Sequence, residues 1–185
     1  MKPLLEESAF LSLGDQSGIE KLVLEESPSM RSRKVEGVKK LARLIVKVEN
    51  PSEIEALLAR TEKLPQLYKG NKGYAFEVLS PEGDCILIHA EDDLMTLQET
   101  KQADYQPLPD FKGLSAFKVE SMCLNVPNKV KSQNFYRDLF QNQFPILLDF
   151  VESHGEDLTI KPHIAWDLEI LEIRVAENYD LVALK

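Results

Sequence analysis

Between Leu41 and Glu91 the sequence spells out one complete supersecondary unit, and that unit limits what the rest of the chain can become. Leu41-Ala-Arg-Leu-Ile-Val-Lys-Val-Glu49 alternates Ala42, Leu44, Val46 and Val48 with Arg43, Ile45, Lys47 and Glu49, the period of two of a half-buried strand. Asn50-Pro51 then ends the strand and opens a helix. Asn50 is a good cap, Pro51 suits the first helical position, where no N–H is needed, and Glu53 stands where a capping box requires an acid. Ile54, Leu57 and Leu58 follow at helical spacing, and the helix should end before Pro65, because the residue preceding a proline is pushed out of the helical region. Beyond a short apolar segment at Leu67-Tyr68, the turn Gly70-Asn-Lys-Gly73 leads into Tyr74 to Leu79, and Ser80-Pro-Glu-Gly-Asp84 turns the chain into Cys85 to Glu91. The order is strand, helix and three strands, with the last two joined as a hairpin by their turn chemistry.

The same pattern recurs in part. Leu4 to Gly14 and Lys21 to Glu26 read as strand runs around the turn Gly14-Asp-Gln-Ser-Gly18. Ala9-Phe10 matches Ala75-Phe76, and Gly18 to Glu26 lines up with Gly83 to Glu91, a weak internal repeat. If it holds, the strand and helix that should come before Met1 are missing. The polar stretch Glu99 to Asp110, with Pro107 and Pro109, reads as a linker. A third unit follows: a strand over Ser115 to Val126, a helix over Lys129 to Phe144, a strand over Ile146 to Glu152, then Leu158-Thr-Ile160 and Ile164 to Trp166. Glu169 to Val175 starts another strand, and Tyr179 to Lys185 begins a helix left unfinished. The expectation is an α+β fold of repeated strand-helix-three-strand modules in two domains, 1–106 and 107–185, truncated at both ends.

Composition places this chain among ordinary globular proteins, with 43% hydrophobic and 29% charged residues. Its net charge of −9 argues against a nucleic-acid or acidic-membrane partner. The basic run Arg31, Arg33, Lys34, Lys39 and Lys40 reads as a solvated loop. No stretch is long and apolar enough to span a membrane, and acids at Glu6 and Glu7 interrupt what a secretory signal would need. Cys85 and Cys123 fall in expected strands and read as structural thiols in a reducing compartment. A cytoplasmic location is the expectation.

Paired units of this length, with a Pro-x-Gly turn before the last strand, resemble the vicinal oxygen chelate superfamily of glyoxalases, extradiol dioxygenases and bleomycin-binding proteins, in which two units form a cup of eight strands. More closely, Leu4-Leu-Glu-Glu-Ser-Ala-Phe-Leu-Ser-Leu-Gly-Asp15, Lys21-Leu-Val-Leu-Glu25, Arg33-Lys-Val-Glu-Gly37, Lys40 to Pro51 and Ile88-His-Ala-Glu-Asp-Asp93 are similar to the streptococcal CppA family. Leu158-Thr and Ala165-Trp-Asp-Leu168 carry the similarity further along the chain. This resemblance implies N- and C-terminal domains, a proteinase acting on the third component of complement as protein partner, and action outside the cell or at its surface.

The residues themselves show no catalytic apparatus. In the superfamily, metal ligands sit on the first and last strands of each unit, usually His and Glu. The corresponding positions are Arg43, seven before Asn50, and Leu87, four after Gly83, with Leu22 in the first half. None suits a divalent ion, so neither a metal nor another cofactor is expected. Neither His-Glu-x-x-His nor Gly-x-Ser-x-Gly occurs. Cys85 and His89 share a strand face about 13 Å apart, beyond hydrogen-bond reach. His154-Gly-Glu156 brings imidazole and acid together in a turn, and Trp166 reads as core. The candidate ligand-binding residues are Arg43, Leu87, His89, Tyr74 and Phe76, lining the cup for an anionic ligand; simple packing is the competing reading of His89 and both aromatics. On the residues, a metal-free cup for a small ligand or protein partner is favoured over a peptidase, and a homodimer is compatible with it.

Overall fold

The computed structural model describes residues 2–7, 10–14, 20–25, 34–36, 41–61, 65–80, 84–101, 104, 108–140, 147–153 and 157–159. In chain order the elements are β1 (Lys2–Glu7), β2 (Phe10–Gly14), β3 (Glu20–Glu25), β4 (Lys34–Glu36), β5 (Leu41–Val48), α1 (Pro51–Leu58), β6 (Gln66–Gly70), β7 (Gly73–Leu79), β8 (Cys85–His89), β9 (Gln98–Glu99), β10 (Phe117–Val126), α2 (Lys129–Leu139), β11 (Leu147–Glu152) and β12 (Asp157–Thr159), with a short 3-10 turn at Leu94–Thr96. The strands form sheets in the orders β1-β2-β3, β11-β10-β5-β8-β7-β6-β9 and β12-β4. This is a mixed α+β architecture. The chain divides into two compact units, Met1–Glu26 with Leu44–Glu120, and Ser27–Arg43 with Ser121–Lys185.

In the first unit, Leu44, Val46 and Val48 of β5 are buried, as the alternation requires, and Ile45 is buried too. Val48 and Ile54 are fully enclosed. Removing a side chain such as that of Ile54 from water contributes about 1.5–3 kcal/mol. Asn50 caps α1 by accepting the Ser52 N–H at 3.2 Å. Glu53 does not complete a capping box. Its buried carboxylate accepts the Ser115 N–H at 2.9 Å, fastening the helix to the chain entering β10. Glu49 N–H donates to the Ala116 carbonyl at 3.2 Å beside that contact.

Strands β6, β7 and β8 form an antiparallel meander. The β6–β7 turn uses Gly73 at φ 120°, a left-handed conformation that favours glycine. Ser80 and Asp84 close the β7–β8 connection, Ser80 N–H donating to the Asp84 carbonyl at 2.9 Å and Asp84 N–H to Ser80 Oγ at 3.0 Å. Strands β1, β2 and β3 also form an antiparallel meander. The run expected as one strand over Leu4 to Gly14 is therefore two strands, paired Glu7 to Phe10 at one end and Lys2 to Gly14 at the other.

In the second unit, β11 lies parallel to β10 with Ser121 opposite Leu147 and Val126 opposite Glu152. A helical crossover between neighbouring parallel strands is the usual way to make such a pair, and α2 supplies it. Asn128 caps α2 by accepting the Lys131 N–H at 2.9 Å. The helix ends at Leu139, short of the expected Phe144, and 141–146 lie outside the described residues. Phe150 is buried and stacks on Tyr136 of α2 with ring centroids 5.4 Å apart. Strand β12 pairs antiparallel with β4, Leu158 opposite Val35.

The two strand-helix-strand segments differ in connection. In the large sheet β6, which follows α1, is separated from β5 by β8 and β7, whereas β11, which follows α2, is next to β10. These two strand-helix-strand segments thus do not share one order.

Candidate functional site

Strand β8 and the first-unit portions of β5 and β10 bring together a chain of charges. His89, at the end of β8, has no solvent exposure, and its Nε2 stands 3.0 Å from Glu120 Oε2 on β10. The N–H direction misses hydrogen-bond alignment, and Nδ1 has no partner within bonding distance. Lys47 of β5 places Nζ 3.8 Å from Glu120 Oε1 and 3.0 Å from Asp92 Oδ1. Lys118 Nζ reaches Glu120 Oε1 at 3.5 Å, and Lys72 Nζ reaches Asp92 Oδ2 at 2.7 Å. Next to Asp92, the buried Glu91 accepts the Lys72 backbone N–H at 2.6 Å and the Thr96 hydroxyl at 3.1 Å.

Local sequence explains this convergence. Lys47 belongs to the odd-numbered set of β5, opposite the face that carries Leu44, Val46 and Val48. On β8, Leu87 and His89 share a face, and Glu77 of β7 pairs with Leu87. The salt bridge to Asp92 is the main reason Lys47 holds its proton more strongly than usual. Lys72 and Lys47 together hold the exposed Asp92 carboxyl down at about 2. Burial pushes the His89 imidazole below the usual histidine range, against the pull of the Glu120 carboxylate and with some help from the Lys47 ammonium. At neutral pH the His89 imidazole is therefore uncharged.

The residues singled out from sequence do not form one lining. Leu87 and His89 are buried together on one face of β8. Tyr74 and Phe76 are also buried, but Phe76 pairs with Ile88, so both aromatics belong to the opposite face. The Tyr74 hydroxyl accepts the Asp104 N–H at 3.0 Å, and Lys69 Nζ sits 5.1 Å from the Tyr74 ring centroid. Arg43 is half-buried in the portion of β5 assigned to the second unit. His154, Glu156 and Trp166 lie outside the described residues. The sequence reading missed Lys47 and Glu120, which the strand order β10-β5-β8 brings to His89.

Among the described residues no group of three or more His, Cys, Asp or Glu could hold a metal ion. His89 and Glu120 offer one imidazole and one carboxylate, and the Lys47 ammonium beside that carboxylate repels a cation; the set does not fit the superfamily's metal. Cys85 and Cys123 form no disulfide, and both are half-buried. In the second unit, burial first and the Asp149 carboxylate second push the Cys123 thiol up, opposed by Lys129 and Arg43. A raised thiol is a poor nucleophile. Iodoacetamide at pH 8 is expected to alkylate Cys123 several-fold more slowly in the folded chain than in urea, followed by peptide mass spectrometry; equal rates would contradict the burial argument.

A mixed α+β protein with a buried imidazole beside a half-buried carboxylate on a seven-stranded sheet is thus the class defined by fold and site. Two family models match the chain, CppA N-terminal over residues 1–100 and CppA C-terminal over residues 114–185. A crystal structure of the cppA protein from Streptococcus pneumoniae TIGR4 is similar at 54% sequence identity and a TM-score of 0.73, the match covering 91% of this chain and 68% of that one. The chain belongs to the CppA family. No curated protein matches it. Among the described residues no helix is long and apolar enough to cross a membrane.

Proposed function

We propose that this chain is a non-catalytic, metal-free protein of glyoxalase-like build that binds a small ligand or a protein partner. The observation that carries this reading is the sealing of His89: the imidazole has no exposure, and neither ring nitrogen is hydrogen-bonded to a hydroxyl or thiol. A general base must reach the proton it removes, and a nucleophile must reach its base. Cys85, four residues earlier on the same strand, is about 13 Å away. The glyoxalase-like build is supported by the two meanders β1-β2-β3 and β6-β7-β8, in which Phe10 and Phe76 both lie on the middle strand.

The rival reading, proteolysis of the third complement component, comes from the family resemblance. Purified chain incubated with that protein is expected to leave it intact, whereas a panel of anionic small molecules should contain one that raises the melting temperature. Cleavage that disappears on His89→Ala would overturn the binding reading, as would a panel and complement protein that both leave the melting temperature unchanged.

A further inference from the structure

His89 is the one ionisable side chain among the described residues with zero exposure, and the groups around it are arranged unevenly. On β10, Glu120 faces its Nε2 at 3.0 Å, and Lys118 touches the same carboxylate. On β5, Lys47 lies 3.8 Å from Glu120. Beyond β8 come Glu91, turned to the Lys72 N–H, and Asp92, engaged by Lys47 and Lys72. On β7, Glu77 pairs with Leu87, one pleat from His89. Glu120 is thus already in contact with two ammonium groups when the imidazole is neutral.

We propose that His89 is an acid-sensitive switch for the end of β8 and the first-unit portions of β5 and β10 that flank it. Neutral, it packs without exposure beside a carboxylate shared with Lys47 and Lys118. Protonated, it becomes a third cation against that carboxylate with no solvent exposure of its own, and the end of β8 opens to hydrate it. The switch does not depend on the binding reading above.

The direction follows from burial, which holds the folded imidazole below its ordinary value. Between that lowered value and about 6.5, the opened chain binds more protons than the closed one, so closure is fully favoured above about 6.5 and is lost as pH falls. One proton limits the loss to about tenfold in the closing equilibrium per pH unit. Asp92, held at about 2, stays ionised throughout this window and is not the sensor.

Hydrogen exchange of the full chain from pH 7.5 to 5, corrected for intrinsic rates, tests the switch. The peptide covering Cys85 to Glu91 is expected to lose protection by up to about tenfold per pH unit below pH 6.5, and His89→Gln to flatten that slope. Should His89→Gln fail to fold, proton NMR of the unsubstituted chain decides the matter. The chain has 3 histidines, so His154→Gln and His163→Gln identify the His89 resonance, whose midpoint should lie below about 6.5. A midpoint at or above that value, protection independent of pH, or a wild-type slope retained by His89→Gln would each overturn the proposal.

Discussion

Phe150→Ala is expected to lower the stability of the second unit by about 3–5 kcal/mol, the usual cost of truncating an enclosed phenylalanine. Phe150 is 2% exposed, and its ring lies nearly parallel to that of Tyr136, at 22°, which is itself stacked on Phe140. Leu124 is its register partner across the parallel pair. The phenylalanine therefore joins β11 both to β10 and to α2. Removing it leaves a cavity that strand spacing prevents from closing, and α2 loses the aromatic face on which Tyr136 rests. Phe135, one residue before Tyr136 and 60% exposed, supplies the contrast. Its alanine variant should change stability by no more than about 0.5 kcal/mol, as for most surface substitutions. Urea unfolding followed by far-ultraviolet circular dichroism measures both. A Phe150→Ala loss no larger than that of Phe135→Ala would mean that α2 does not depend on this stack.

How much of this was legible in the sequence depended on how local each cause is. The alternation of β5 placed Leu44, Val46 and Val48 in the core, and Asn50-Pro51 fixed the start of α1, because both effects act within a few residues. Glu53 was misread as half of a capping box because its true partner, the Ser115 N–H, lies 62 residues away. The run from Leu4 to Gly14 contains no glycine or proline before its end, so nothing in its composition marked the reversal between β1 and β2. The parallel pairing of β10 with β11 was illegible for another reason: periodicity assigns residues to faces but says nothing about which strands become neighbours. The same gap hid the site. His89 was visible as a histidine on an inward face, whereas Glu120 and Lys47 acquired meaning only once β5 was set between β8 and β10.

Gly70→Ala is expected to cost about 2–4 kcal/mol, more than an exposed hairpin residue ordinarily would, because a buried carboxylate would lose its hydrogen bonds. A Cβ at position 70 would come within 2.5 Å of Glu91 Oε1 and 2.7 Å of its Cδ, closer than atoms can approach. Glu91 is 4% exposed and fixed from two sides, accepting the Lys72 N–H and the Thr96 hydroxyl. It cannot move aside without giving up at least one of them. The glycine is thus needed for the space it leaves, whereas Gly73, three residues on, is needed for its backbone at φ 120°, with its nearest neighbour 3.8 Å away. This difference makes the cause separable. In a double-mutant cycle, Glu91→Ala should relieve most of the clash of Gly70→Ala, giving a coupling of about 1–3 kcal/mol, and should relieve none of the backbone strain of Gly73→Ala. Equal behaviour of the two glycines in the Glu91→Ala background would show that the turn, and not the carboxylate, sets the requirement at position 70.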